Sequence, residues 1–328
     1  MPSRTHIAEL IKRSYKSCKS KVIRFLKSEV GAVCFKADLW TSKATDGYIS
    51  GSAIFISSGW QIVSVCLGGV EFNERHTGVN IASAVQSMIC EYNISQAAAV
   101  ALVHDQASNM TVAGRELENS LPNFSSVVCA AHRIQNSLKQ GLQIRIGSKL
   151  LAKARKLVAH FKQSVRVRTA LHQRQVEMKM KKLNVVQDVS TSWNSSLYML
   201  RRLLLLRVPI TAIMNDSSAT KAADQALNFT PSQYHLAEKL VEILEPFESA
   251  TTLLSAEKKV TLSLVSPMMF CLLGKVQPDE DDTQTILQFK SEIAADLGKG
   301  FQLKPFTPTW NRWHLLLIHN LHDYPSWR

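Results

Sequence analysis

Three short runs rich in strand formers follow one another with only turns between them, and no other feature of the chain constrains the fold so strongly. They are Val33 to Trp40, Ile49 to Ile56 and Ile62 to Val70, with Asp46-Gly47 and Ser58-Gly59 marking the turns. Strands joined this closely form an antiparallel meander, because a parallel return needs a crossover of about a dozen residues or more. The period then changes. Asn80 to Tyr92 puts Ile81, Ala84, Val85, Met88 and Ile89 on one helical face, and Ala98 to Val103 is a compact apolar strand. A short helix over Asn109 to Leu117, a fifth strand at Ser126 to Cys129 and a helix from about Ala131 to Leu142 complete the series. The order β-β-β-α-β-α-β-α predicts an α/β unit with a mixed five-stranded sheet.

Basic and helical segments flank that core. Residues 1–32 read as a basic helix with Ile7, Leu10, Ile11, Tyr15 and Cys18 at three- and four-residue spacing. After the core, which spans 33–143, residues 144–276 read as a basic, mainly helical domain. Leu150, Leu151, Ala154, Leu157, Val158, Phe161 and Val165 form one amphipathic stripe there. A second helical region covers Tyr234 to Leu254, where Pro246 is expected to kink or restart the helix. The remainder, 277–328, is an acidic linker at Gln277 to Thr283 followed by an aromatic, proline-bearing segment without a clear period. No apolar run reaches the roughly 18–20 residues of a membrane span, and the start lacks a secretory block, so the chain reads as soluble and intracellular, with no membrane partner.

Charge singles out the helical region. From Arg133 to Arg207 there are seventeen basic residues against Glu177 and Asp188, a local +15 that exceeds the +13 of the whole chain. Such a field favours a polyanion, above all DNA, although a solvated helical surface is the bland alternative. Lys149, Lys153, Arg155, Lys156, Lys162, Arg166 and Arg168 are the candidate contacts. Trp193 is either a base-stacking platform or a core anchor opening a helix capped by Thr191 or Ser192. The six cysteines are scattered, with no CxxC pair, and no zinc site is expected; Cys129-x-x-His132 offers at most two of the four ligands zinc usually takes.

The candidate chemistry lies at two strand ends. Asp38 ends the first strand and Asp105 ends the fourth. A helical crossover can bring strand four parallel to strand one, so that the two ends lie about 5 Å apart laterally. Two carboxylates that close repel unless a cation intervenes, which is how a Mg²⁺ site for phosphoryl transfer begins. The plainer alternative is that each aspartate caps a following turn or helix.

Five words occur in order: Asp38-Leu39-Trp40-Thr41-Ser42, Asn73-Glu74-Arg75-His76-Thr77-Gly78, Val103-His104-Asp105-Gln106-Ala107-Ser108-Asn109, Cys129-Ala130-Ala131-His132, and Asp188-Val189-Ser190-Thr191-Ser192-Trp193-Asn194-Ser195. The series resembles the hAT superfamily of DNA transposases, and most nearly the zinc finger BED domain-containing proteins derived from them, over about residues 15–275. The resemblance implies a ribonuclease H-like core followed by a large helical insertion. It also implies metal-binding roles for Asp38 and Asp105, and a place for His132 at the catalytic pocket. A third carboxylate normally follows the insertion; Glu245 or Glu248 would have to serve. His104, Gln106 and Ser192 stand where the family usually has Thr, Asn and Arg, and the loss of that Arg removes a bidentate phosphate donor. Neither a BED finger nor the C-terminal dimerisation segment is found in the 328 residues, so both ends read as trimmed. The expectation is a nuclear, transposase-derived DNA- or chromatin-associated regulator without strand transfer, possible as a homo- or hetero-dimer. The alternative is an active Mg²⁺-dependent transposase or nuclease.

Overall fold

The computed structural model describes residues 2–300 except 190, 191 and 257, and the chain divides into two compact units. The first runs to Arg133 and takes in a short return segment, Ala256–Leu262. The second comprises Ile134–Ser255 and the chain from Ser263 to the end of the described residues.

In the first unit, α1 (Arg4–Glu29) begins where Ser3 accepts a hydrogen bond from the His6 N–H at 3.2 Å. Leu26 is its buried residue, while the stripe of Ile7, Leu10, Ile11 and Tyr15 stays exposed. Then come β1 (Val33–Thr41), β2 (Gly47–Ile56), β3 (Ile62–Glu71), α2 (Gly78–Glu91), β4 (Ala99–His104), α3 (Ser108–Ser120) and β5 (Ser125–Val128), followed by α4 (Ala130–Gln143), which starts in the first unit and from Ile134 belongs to the second. This matches the expected order element for element. The sheet order is β3-β2-β1-β4-β5, with β1–β2 and β2–β3 antiparallel and β4 parallel to both β1 and β5.

Alternation along β1 buries Phe35 and Ala37, which share a core with Ala53 and Phe55 of β2 and with Ile81, Val85 and Ile89 of α2. Two glycines make that core close up. A Cβ on Gly78 would overlap Val112, and one on Gly114 would overlap Ser126, so α2, α3 and β5 approach more closely than alanine would permit. The hairpin turns hold a surprise. The left-handed residues are Thr45 (φ 73°) and Trp60 (φ 58°), neighbours of the glycines that mark those turns in the sequence.

The second unit is helical: α5 (Arg145–Gln163), α6 (Val165–Glu177), α7 (Trp193–Leu205), α8 (Arg207–Met214), α9 (Ala222–Gln225), α10 (Pro231–Leu254), α11 (Leu262–Lys275) and α12 (Gln284–Gly300). The expected stripe on α5 is buried from Leu150 to Phe161, but Val165 is exposed, because α5 stops at Gln163 and Ser164 caps α6 by accepting from the Val167 N–H at 3.3 Å. Thr230 and Gln233 form a reciprocal capping box at the start of α10, with Pro231 in the first turn. That helix runs through Pro246 without restarting. Proline deletes one backbone donor, and buried Ile243, Leu244, Phe247 and Ala250 hold the turns on either side.

The acidic stretch is the loop between α11 and α12, and α12 was not expected as a helix. Its Ile286, Phe289, Ile293 and Leu297 are buried at helical spacing. The aromatic segment 301–328 lies outside the described residues, as do Ser190 and Thr191. Among the described residues no helix is long and apolar enough to cross a membrane.

Candidate functional site

The parallel ladder between β1 and β4 pairs Cys34 with Ala101 and Lys36 with Val103. Asp38 and Asp105 come two residues after the last pair of that ladder, at its C-terminal rim, but Asp38 does not end its strand as expected: β1 continues to Thr41, with Asp38 paired to Ser50 of β2, while Asp105 directly follows β4. The ladder of β4 with β5 pairs Val103 with Val127, so Cys129 takes the next place in the same row. It is fixed there by its N–H, which donates to the His104 carbonyl at 2.8 Å. Side chains two apart on a strand share a face, so Lys36 and Asp38 lie together on the face opposite the Phe35 core, and both are exposed.

Each member of the row has a local partner or lacks one. Asp105 Oδ1 accepts from the Ala107 N–H at 3.1 Å, shaping the turn into α3. Both readings of this aspartate are therefore compatible, since the turn occupies one oxygen only. Among the described residues Asp38 makes no ion pair or side-chain hydrogen bond. Cys129 precedes the first turn of α4, with the Arg133 N–H donating to its carbonyl at 3.0 Å. Burial pushes its thiol up, but hydrogen bonds from His132 and the helix-start N–H groups outweigh that and leave it below the ordinary thiol value. His132 is correspondingly raised, first by its hydrogen bond to Cys129 and further by the charges of Cys129 and Asp105; burial and Lys36 oppose the rise.

Three features of this rim went unread in the sequence. His104 is buried; its Nδ1–H donates to the Asp105 carbonyl and its Nε2 accepts from the Ser126 hydroxyl at 2.9 Å. The imidazole thus ties β4 to β5 just before the aspartate, a job threonine is too short to do from that position. Lys36 places a cation on the carboxylate face. Trp40 stacks on Tyr48 with ring centroids 5.6 Å apart, and their strand alternation with Asp38 was the signal that could have placed them beside it.

Mg²⁺ takes oxygen donors and often uses one or two carboxylates together with substrate phosphates. Asp38 and Asp105 suit the beginning of such a site. Among the described residues, however, no group of three or more His, Cys, Asp or Glu side chains is arranged to hold a metal ion. Glu245 and Glu248, the expected candidates for completion, pair with Arg201 in the helical unit at 3.0 and 2.7 Å. The donor set is a pair, and no catalytic step is derived from it.

The helical unit sorts the predicted DNA contacts into two groups. Lys149, Lys156, Lys162, Arg166 and Arg168 are exposed. Lys153 donates to Gln233 Oε1 at 2.9 Å and lies over the Phe229 ring, where burial lowers its pKa. Arg155 is held by Asp188: Nε lies 2.9 and 3.0 Å from the two carboxylate oxygens and Nη2 lies 2.7 Å from Oδ2. The Ser196 hydroxyl adds a bond to Oδ2 at 2.8 Å. Burial alone would raise Asp188; the hydrogen bonds from Arg155 and Ser196 win and leave it below the ordinary carboxylate value. Trp193 is 6% exposed and opens α7, which is the core-anchor arrangement. Ser195 Oγ accepts from the Val189 N–H at 2.8 Å and lies 2.6 Å from the Ser192 carbonyl. The word from Asp188 to Ser195 therefore has a structural task, pinning the entry to α7 onto α5.

Comparisons with known proteins agree with this division. Residues 36–133 match the ZBED1 RNase-like domain and residues 127–243 the ZBED1 RNase-like helical domain, together more than half of the chain. Similar proteins include the proposed transcriptional regulator tpeD of Talaromyces stipitatus (24% identical; 90% of this chain, 37% of the relative). Human zinc finger BED domain-containing protein 4 is 24% identical over 83% of this chain and 23% of its own length. A proposed AC transposase of Zea mays is 25% identical over 80% of this chain and 33% of its own. The chain spans between 23% and 37% of the length of these relatives. With both RNase-like matches falling in order on the sheet and on the helices that follow it, the chain belongs to the hAT-transposase-derived proteins related to the zinc finger BED domain-containing proteins.

Proposed function

We propose that the chain is a DNA- or chromatin-associated, transcription-regulator-like protein of the nucleus, derived from a transposase and without strand transfer. In this reading the sheet unit is a ribonuclease H-like core and the helical unit is its insertion. The observation that carries the proposal is the unequal treatment of charge in the helical unit. Arg155, Arg174, Arg201 and Arg207 are taken up by Asp188, Glu177, Glu245 with Glu248, and Glu238, while Lys149, Lys156, Lys162, Arg166 and Arg168 carry no acid partner among the described residues. Unpaired cations along consecutive helices are what phosphate neutralisation requires. The names of the relatives, a proposed transcriptional regulator and BED zinc finger proteins, support the same reading.

Ser192 stands where relatives of this family usually have Arg, and the loss of that bidentate phosphate donor argues against turnover. The test is a nicking assay on supercoiled DNA with Mg²⁺ or Mn²⁺, run beside duplex binding. Binding without nicking is expected. Nicking that disappears in Asp38→Ala and in Asp105→Ala would replace this reading with an active nuclease.

A further inference from the structure

In the helical unit, the end of α5, the body of α6 and the segment after it line an open-sided cavity of about 340 Å³. Lys162, Arg168, His172 and Asn184 form its polar side, and Phe161, Leu171 and Val185 its apolar side. No acid lines it. We propose that this cavity takes one phosphodiester unit of a nucleic-acid strand, and so anchors the strand on the basic helices; the inference rests on the DNA-associated reading above.

Several arginines of this unit are already engaged, unlike Arg168 in the cavity and Arg166 outside it. Arg155, Arg174, Arg201 and Arg207 each have a carboxylate partner, at 2.7, 3.1, 2.7 and 3.1 Å. Among the described residues Lys162 and Arg168 have neither an ion pair nor a side-chain hydrogen bond. A concave wall carrying two uncompensated cations repels cationic ligands and desolvates a neutral one without return. An anion gains from both, with the arginine fork able to grip two phosphate oxygens and the lysine acting as a point charge.

The wall is also built in advance. Gln175, fully buried on α6, accepts from the Leu183 N–H at 2.6 Å and donates to the Leu183 carbonyl at 3.0 Å. Arg202 donates to the Asn184 carbonyl at 2.5 Å, and His172 Nε2 donates to Asn184 Oδ1 at 3.0 Å. The backbone opposite the cations is therefore fixed before any ligand arrives, which reduces the ordering cost of binding. Phe161, Leu171 and Val185 are buried and close the floor of the cavity beneath the cations. Its volume is near the lower end of ligand pockets, room for about one nucleotide unit.

The test compares two double variants of equal charge loss in the full chain: Lys162→Ala/Arg168→Ala at the cavity, and Lys149→Ala/Lys156→Ala on the open face of α5. Binding of a fluorescein-labelled 20-base-pair duplex is followed by anisotropy, with circular dichroism melts confirming that both variants fold. Both should lower the salt slope by about two, but the cavity variant should lose about tenfold or more in affinity against roughly threefold for the other. Equal losses would overturn the cavity while leaving the DNA reading intact. No binding by the parent chain even at low salt would overturn both. Deoxyadenosine monophosphate serves as the competing probe, and if it binds the cavity more tightly than the duplex, the site belongs to free nucleotides and the strand assignment is overturned.

Discussion

Acidic residues at the sheet rim and those held by arginines in the helical unit are treated in opposite ways, while away from the rim the sheet unit pairs Glu91 with Lys19. At the sheet rim Asp38 is exposed without a cation partner and Asp105 satisfies one backbone donor, so neither is engaged in holding the unit together. In the helical unit Asp188, Glu238, Glu245, Glu248 and Asp282 are all tied to Arg or Lys, and Asp282 pairs with nearly buried Lys290 at 2.5 Å. The contrast teaches that acidic residues in one chain can be structural or available, and that the distinction follows from packing. Where a basic excess exists, acids are absorbed into ion pairs and the surplus cations face solvent. At the rim, Asp38 shares its exposed face with Lys36 but makes no ion pair among the described residues.

Four substitutions break or sharpen that comparison. Phe289→Ala in α12 should have the largest effect, a loss of about 3–5 kcal/mol by chemical denaturation, because the ring is fully buried in the helical core. Asp188→Ala should cost about 2–3 kcal/mol, a buried-pair penalty reduced because Arg155 is partly solvent-exposed and screened. The sign of its pH dependence is fixed. A carboxylate whose folded value is depressed adds stability above its unfolded value of about 3.9 and loses it as the pH falls through the folded one. The parent should therefore lose this increment in acid below about pH 4, and the variant should show a flatter acid limb in urea titrations.

On the sheet side, Trp60→Gly should stabilise by about 1 kcal/mol in the same titrations, since it relieves a left-handed backbone at an exposed aromatic. Asp38→Ala should change stability by less than about 0.5 kcal/mol. A loss as large as that of Asp188→Ala would show that the rim aspartate is structural after all, and the comparison would fail.

Much of the fold was legible because local and global signals agreed. The eight elements from β1 to α4 follow from alternation, helical spacing and turn residues, and short connections left few ways to order the first three strands. The one parallel neighbour of β1, β4, followed from the crossover. What escaped reading depended on long-range partners. Arg155 looks like any other cation until Asp188 is folded onto it, and Trp193 could serve either of two roles until its burial decided the matter. Pro246 threatens a break that tertiary packing prevents. The helix at Gln284–Gly300 was different: its apolar spacing was present, but the acidic stretch before it drew the reading toward a linker. At the hairpins, the glycines drew attention from Thr45 and Trp60, which sequence alone does not mark as left-handed.

The salt dependence of duplex binding tests the central claim most directly, because that claim is that surplus cations of the helical unit meet phosphate. With Lys149, Lys156, Lys162, Arg166 and Arg168 all engaged, a plot of log affinity against log salt should slope at about −4 to −5, and replacing the five by alanine should bring it near zero. A slope near zero for the parent chain, or a steep one that survives the fivefold replacement, would contradict the account.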